Sequence, residues 1–181
     1  TLGTLAALGL SRPHMPYKGL IMSILISPMI VPLIITAAGM FFFYARFNLV
    51  YTFTGIILAH VALATPFVVI TVTATLVGFD TNMTKASQSL GARPTRTFFK
   101  VIMPLILPGV ISGALFAFIT SFDEVVIVMF MASLDQLTIP KQMWAGIRQE
   151  ISPVILCMAT CLVILSILLL TTVEVLRRRS E

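Results

Sequence analysis

Two adjacent carboxylates lie in unusually apolar surroundings. Asp123 and Glu124 follow 22 residues without a charge (101–122) and precede the apolar run 125–130. An acid at the centre of a membrane helix costs about 2.5 to 3.5 kcal/mol, so such residues ordinarily face a bundle interior or a water-filled cavity. We therefore predict that both acids lie inside a membrane helix and belong to a pathway for a cationic substrate. Adjacent side chains project about 100° apart, so one acid, for which we favour Asp123, faces the pathway while the other satisfies a neighbouring helix or broken backbone.

The composition requires that lipid surrounds most of the chain. Of the 181 residues, 58% are hydrophobic and 10% are charged, whereas a soluble domain carries about 25% charged residues. So few polar side chains do not suffice to cover a surface that faces water. The same high hydrophobic fraction excludes a disordered chain and a collagen-like chain. The 12 basic residues are spread between long apolar runs and form no continuous patch, so nucleic acid is not expected as a partner. The sequence predicts a membrane protein.

Four runs without charge are long enough to cross a bilayer as helices. They predict transmembrane helices over 19–45, 51–78, 105–131 and 153–176 in one all-α, polytopic domain that comprises residues 1–181. Residues 1–10 are equally apolar but too short to span. We expect them to be the end of a truncated helix, so that the chain is truncated at its N-terminus.

The basic residues also predict an orientation. Arg46, Lys141 and Arg148 fall on one side of these helices, and nine basic residues fall on the other. Because cytoplasmic loops carry the excess of Lys and Arg, the second side is cytoplasmic. Residues 80–100 and the C-terminus are then inside the cell. The nine residues are Arg12, Lys18, Lys85, Arg93, Arg96, Lys100, Arg177, Arg178 and Arg179.

Prolines and glycines interrupt the predicted helices. Pro28, Pro32 and Pro66 each remove a backbone donor, which predicts a kink or break of the kind that often lines a pathway. The alternative is that proline is simply commoner in membrane helices than in soluble ones. Gly109 and Gly113 form a small-xxx-small step that predicts close packing against another helix.

Residues 80–100 change abruptly to a polar and basic composition. Gly91 permits a positive backbone φ, and Pro94 suits the first turn of a new helix. The pattern predicts a short helix, a glycine turn and a second short helix, which together form a docking element. An ordinary interfacial loop is the alternative.

The same segment resembles a known family. The pairs Ala86-Ser87 and Gly91-Ala92, followed by Phe98, Ile102, Pro104 and Pro108, resemble the EAA loop of ABC importer permeases. The chain departs from that pattern at Lys85, where the family usually has Glu, and at Ser87, where it has Ala. The resemblance implies a type I ABC importer permease, or MetI-like, fold.

The resemblance also implies that this loop enters a cleft in a separate ATP-binding cassette ATPase and transmits its closure to the membrane helices. Arg93, Arg96 and Lys100 pair with acids of that partner or hold the loop at anionic lipid, and the sequence leaves both open. Nothing resembles G-x-x-x-x-G-K-[ST], so ATP and Mg belong to the partner, the chain is not an enzyme and it needs no cofactor of its own. The predicted docking residues are Lys85, Ala86, Ser87, Gly91, Ala92, Arg93, Arg96, Phe98 and Lys100.

A narrower resemblance concerns the substrate. The residues 121–124 and 143–148, with 150–153, look like the polyamine branch of these permeases, which implies spermidine or putrescine. Carboxylates would replace part of the hydration that such polycations lose. Several polyamine relatives carry an acid near the paired prolines, where this chain has Met29 and Leu33. An importer for another solute and an ATP-independent transporter or pore remain the alternatives.

The resemblance further implies a bacterial inner-membrane location, a second permease subunit, either identical or a sister chain, and an extracytoplasmic substrate-binding protein. Candidate contacts of that binding protein are Asp135, Lys141, Arg148 and Glu150. His60 is expected to make a hydrogen bond across the bundle, with transport chemistry as the alternative. The segment after Pro140, with Trp144, suits a helix along the outer interface. Cys157 and Cys161 are expected to be packing residues, and no metal site is predicted.

Overall fold

Helices make up the regular structure of the chain. The computed structural model describes residues 1–12, 14–149 and 153–180, with the side chains of all but 81, 149 and 173–180, and this part contains no β-strand. The helices are α1 Leu2–Leu10, α2 Lys18–Ile30, α3 Leu33–Ala45, α4 Phe53–Val77, α5 Thr81–Ser89, α6 Pro94–Thr97, a π-helical turn Phe98–Ile102, α7 Met103–Phe122, α8 Val126–Met131, α9 Ile139–Gln149 and α10 Pro153–Ser180.

Three helices of the described part are long and apolar enough to cross a membrane. They are α4 with 25 residues, the continuous helix Pro94–Phe122 with 29, and Pro153–Thr172 of α10 with 20. The pair α2 and α3 makes a fourth only if the two count as one broken span. The four helices predicted from the sequence are thus present as segments, two of them interrupted.

The helix predicted over 19–45 is interrupted in its middle. Helix α2 ends at Ile30 and α3 begins at Leu33, and their axes differ by 108°. The physical cause is Pro32, because a residue before proline avoids the α region, and Val31 is extended with φ −70° and ψ 136°. One of the two prolines that the sequence singled out near this point therefore ends the helix, while Pro28 lies inside α2.

The helix predicted over 105–131 is interrupted at the two acids. Helix α7 ends at Phe122, Asp123 has φ −89° and ψ 3°, and α8 begins at Val126. The Glu124 carboxylate accepts a hydrogen bond from the backbone N–H of Ile127, and a side-chain acceptor of this kind satisfies a helix start. The acids therefore lie between two helices and not inside one, which corrects the prediction.

Helix α4 lies at the centre of the packing. On one side Val72 is buried with Ala7 of α1 and Ile106 of α7. On the other side its Ala59 and Leu63 are buried against α3 and α8. Helix α2 has no buried residue, and neither does the part of α10 that comprises residues 153–172. Apolar side chains do not need a protein cover in lipid, because lipid tails are as apolar as they are.

The contact between α4 and α7 depends on two glycines. A Cβ on Gly113 would lie 2.9 Å from the Cα of Val68 and would also collide with the Thr71 hydroxyl, and a Cβ on Gly109 would collide with the Thr75 hydroxyl. The hydroxyls of Thr71 and Thr75 donate to carbonyls of their own helix, at 2.9 and 3.0 Å. The close packing predicted for Gly109 and Gly113 is confirmed.

We predict that Gly113→Ala lowers the free energy of unfolding by about 1 to 3 kcal/mol, because the added methyl overpacks the contact with α4. Titration with SDS in detergent micelles measures the change. Gly39→Ala is the matched control, since Gly39 of α3 has no atom within 4 Å of the added Cβ, and it should be neutral or slightly stabilising. Equal stability of the Gly113→Ala variant and the original chain would show that α4 and α7 are not in tight contact.

Candidate functional site

The first candidate site is the elbow, by which we mean residues 80–100 between α4 and α7. Its first arm, α5, begins after Asp80, whose carboxylate accepts the N–H of Asn82 at 2.9 Å. The chain then turns at Gly91, which has φ +79°, with the N–H of Ala92 bonded to the Ser87 carbonyl at 3.1 Å. A side chain at this φ is strained, which explains the glycine. The predicted helix, glycine turn and second helix are confirmed.

A hydrogen bond joins the two arms of the elbow. The hydroxyls of Ser87 and Thr97 lie 3.0 Å apart, and Thr97 is only 2% exposed. The serine that departs from the family pattern at position 87 thus makes the bond. No sequence pattern indicated Thr97, because its pairing with Ser87 depends on the angle that the turn sets between the two arms.

The second arm of the elbow continues directly into the membrane helix. Helix α6, the π-helical turn and α7 form one helix, Pro94–Phe122. The N–H of Met103 bonds to the carbonyl of Phe98, one residue further back than in an α-helix. Pro104 has no N–H to donate to the Lys100 carbonyl, which favours this wider turn. A movement of the second arm therefore moves α7.

The docking residues that were predicted from the sequence surround the exposed surface of the elbow. Lys85, Arg93, Arg96 and Lys100 are exposed, while Phe98 is half-buried. An open cleft of 580 Å³ lies between the arms, with Met83, Ala86, Leu90, Arg96 and Val101 among its lining residues. Leu90, which lines this cleft, is 89% exposed.

The second candidate site is the break between α7 and α8. Glu124 is 6% exposed, and its Oε1 accepts the Ile127 N–H at 2.7 Å. The carboxylate borders a pocket of 340 Å³ formed by residues 28–33 at the break between α2 and α3, by Leu63 and Phe67 of α4, and by Thr120. Two broken helices and a buried acid therefore meet at one place.

Asp123 lies on a different side of α7. It is exposed, and it borders a separate pocket of 330 Å³ together with Phe118, Phe122, Pro140 and residues of α10. As expected, the two acids face different surroundings. The preference for Asp123 is not supported by the geometry, because Glu124 is the acid that is buried at the helix breaks.

His60 makes the expected hydrogen bond across the bundle. Its Nδ1 lies 2.8 Å from the Ser121 hydroxyl of α7, and its Nε2 is buried without a hydrogen-bond partner in the described part of the chain. A pocket of 320 Å³ lined by Ile56, His60, Ser121 and Thr138, among others, opens beside it. Two polar residues thus join α4 and α7 next to Glu124.

Gln136 and Lys141 hold the segment after α8 in place. The Gln136 amide, which sequence reasoning missed, accepts the Ser133 N–H at 3.0 Å and donates to the Tyr51 carbonyl at 3.2 Å. The Lys141 ammonium donates to the Ser133 carbonyl at 3.3 Å. Lys141 was predicted to contact a binding protein, and it is half-buried in contacts of its own chain.

The other predicted outer contacts lie at or near α9. Asp135 and Arg148 are exposed, and the Arg148 guanidinium lies 5.4 Å from the centre of the Trp144 ring. The short helix predicted after Pro140 is present as α9. Glu150 lies outside the described residues. The described part contains no cluster of three His, Cys, Asp or Glu that could hold a metal, and Cys157 and Cys161 are free and exposed, so they are not packed against other residues of this chain.

Known proteins resemble this chain over its whole length. The sequence profile of the family described as "binding-protein-dependent transport system inner membrane component" matches residues 1–181. The chain belongs to this family. Membership confirms the predicted family, the all-α MetI-like membrane fold, and the prediction that the chain is a transport permease and not an enzyme. The family is an inner-membrane component of a system that depends on a binding protein.

Three relatives carry substrate names. The spermidine/putrescine transport system permease protein PotC of Haemophilus influenzae is 29% identical over 180 residues, which cover 99% of this chain and 70% of the relative. PotC of Escherichia coli K12 is 28% identical over 98% of this chain and 67% of its own length. The putrescine transport system permease protein PotI of the same organism is 35% identical over 57% of this chain and 37% of its own length.

We predict a coupling free energy of about 0.5 to 1.5 kcal/mol between His60 and Ser121, the usual contribution of one hydrogen bond. A double-mutant cycle with His60→Ala and Ser121→Ala, measured by SDS unfolding in micelles, gives this value. The pair His60→Ala and Thr160→Ala is the control, because Thr160 bonds only within α10. Additive effects of the first pair would contradict the bond.

Proposed function

We propose that this chain is the membrane-spanning permease of an ATP-driven importer that moves polyamines such as spermidine or putrescine into the cell. The observation that carries the proposal is the buried carboxylate of Glu124 at the meeting point of two broken helices. The names of the relatives and the exposed elbow support it.

The pocket beside Glu124 has the chemistry that a polyamine needs. An ammonium entering it loses hydration, and a carboxylate in a dry site replaces part of that loss. The remaining walls are largely apolar, with Met29, Leu33, Leu63 and Phe67, and suit the methylene chain between two ammonium groups. The Phe67 ring also offers a face for cation–π contact.

The two acids have separate roles in this proposal. Glu124 is the counter-ion in the substrate pathway, and its contact with the Ile127 N–H holds the start of α8. Asp123 belongs to the pathway only at its edge. Its side chain is exposed, and it borders the separate pocket next to α10.

The elbow is the part that couples transport to ATP. In the proposal it sits in a cleft of an ATPase subunit, which binds ATP and Mg. The predicted docking residues 85–87, 91–93, 96 and 98 form the contact, while Lys100, at the membrane end of the elbow, holds it at anionic lipid. Closure of the ATPase subunits moves the elbow, the helix Pro94–Phe122 tilts, and the region of Glu124 opens to the outside. Hydrolysis and product release reverse the movement.

The remaining assembly follows from the need to enclose a path. A second permease, identical or a sister chain, lies against this one in a bacterial inner membrane with lipid around both. The helices 19–45, 51–78, 105–131 and 153–176 are the membrane-crossing regions, interrupted as described, and the C-terminus is cytoplasmic. A substrate-binding protein docks outside, where the exposed Asp135 and Arg148 are better placed for contact than Lys141, and Glu150 is a further candidate by its sequence position.

We predict that Glu124→Gln lowers polyamine uptake about ten- to a hundredfold, which corresponds to the loss of one charged hydrogen bond. Gln keeps an oxygen for the Ile127 N–H, so α8 stays capped. Asp123→Asn is the matched control and should transport nearly normally. Uptake of labelled spermidine by cells that carry the complete transporter measures both.

Unchanged spermidine uptake by Glu124→Gln would remove the counter-ion role and favour an importer for another solute. Competition by unlabelled solutes then identifies the class. Uptake that continues without any ATPase subunit would instead favour an ATP-independent transporter or pore.

We predict that Gly91→Val uncouples ATP hydrolysis from uptake while the chain still inserts into the membrane. A β-branched residue at φ +79° is strained by about 1 to 3 kcal/mol and changes the angle between the arms. Gly78→Val is the control, because Gly78 has φ −87° and an added Cβ would meet its nearest atom, the Thr75 carbonyl oxygen, at 4.0 Å. ATPase and uptake assays on the reconstituted complex measure the two activities. Normal uptake by Gly91→Val would contradict a lever role.

A further inference from the structure

Nearly all charged residues of the elbow are positive. Four cations lie in it, at Lys85, Arg93, Arg96 and Lys100, and the sequence has no acidic residue from 81 to 122. The one carboxylate in the elbow, Asp80, accepts the Asn82 N–H at the start of α5. In the part of the chain that the structure describes, none of the four cations has an ion-pair partner. None of the described residues therefore supplies a counter-charge to these cations, and a partner protein or anionic lipid can supply it.

The length of the continuous helix distinguishes two sources of that counter-charge, a partner protein and the headgroups of anionic lipid. The continuous helix Pro94–Phe122 has 29 residues, which at a rise of 1.5 Å is about 43 Å, against about 30 Å for the hydrocarbon core. Apolar α8 follows α7, so Phe122 lies no further out than the opposite edge of that core. For a helix along the membrane normal, about 13 Å, roughly nine residues, therefore projects from the membrane on the elbow side.

The projecting part extends beyond the lipid headgroups, which occupy about 5 to 7 Å on each side. Lys100 lies near the base of this part, at headgroup level. Arg93 and Arg96 lie about 9 to 14 Å out by the same rise per residue. The Ser87–Thr97 bond holds Ser87 of α5 at the level of Thr97, and the exposed Lys85 lies two residues away in the same short helix.

We propose that the ATPase subunit meets this elbow with an acidic cleft, in which carboxylates face Lys85, Arg93 and Arg96 while an apolar wall covers Leu90. This inference rests on the proposed function and names the chemistry of the partner surface. Lys100 is set apart from the other three, because it serves the lipid headgroups. Charge complementarity of this kind determines which partner binds, since like charges brought together at an interface cost several kcal/mol.

The test uses the complete transporter, expressed with its own ATPase and purified in a non-ionic detergent. We expect Lys85→Glu and Arg96→Glu to lower the ATPase retained per permease about tenfold, while Lys85→Arg retains it. Lys100→Glu is the matched control, with the same change of charge at the base of the elbow, and should retain the ATPase. Thermal unfolding of each purified permease checks that a loss is not caused by misfolding.

Suppressors of Lys85→Glu identify the partner residue. Selection for restored uptake should recover substitutions of Asp or Glu in the ATPase by Lys or a neutral residue. The inference is overturned if Lys85→Glu and Arg96→Glu retain the ATPase normally, or if retention depends on Lys100 and on added anionic lipid. Failure of the original complex to retain any ATPase would instead refute the proposed function itself.

Discussion

The rest of the structure depends on the close contact between α4 and α7. Lipid removes most of the hydrophobic drive for helices to associate, so their packing must come from shape. Gly109 and Gly113 let α7 approach Val68, Thr71 and Thr75 so closely that a single methyl group would collide. The elbow joins these two helices at one end, and the His60–Ser121 bond joins them near the other. These contacts tie the two helices and the elbow into one hairpin.

This hairpin connects the two places where the chain can do work. At one end it presents the exposed arms of the elbow, and the second arm is continuous with α7. At the other end α7 stops at Phe122, and the buried Glu124 borders the break between α2 and α3. We therefore expect a force on the elbow to reach the end of α7, two residues before the acid, through continuous helix. The family to which the chain belongs transports solutes across the inner membrane, and such a connection suits that activity.

Much of this could be predicted from the sequence, and the failures have physical causes. Charge-free runs located the apolar segments, and Gly91 with Pro94 located the turn of the elbow. The preference for Asp123 over Glu124 assumed an unbroken helix, whereas the helix breaks there and the Glu124 carboxylate itself satisfies the start of α8. Proline positions suggested breaks, but only the chain around Val31 shows that the helix bends by 108°. Contacts such as Ser87–Thr97 and Gln136–Tyr51 join residues whose spacing carries no periodic signal.

We expect the elbow and the acid Glu124 to move together during transport. The distance between two spin labels tests this joint movement most directly. Labels on cysteines introduced at Thr95 and Phe118, after replacement of Cys157 and Cys161, would lie about 35 Å apart along the helix. In the complete transporter, addition of ATP should leave this separation unchanged, while the distance from each label to a third label on the second permease changes. A change in the Thr95–Phe118 separation, or movement of the Thr95 label alone, would contradict the account.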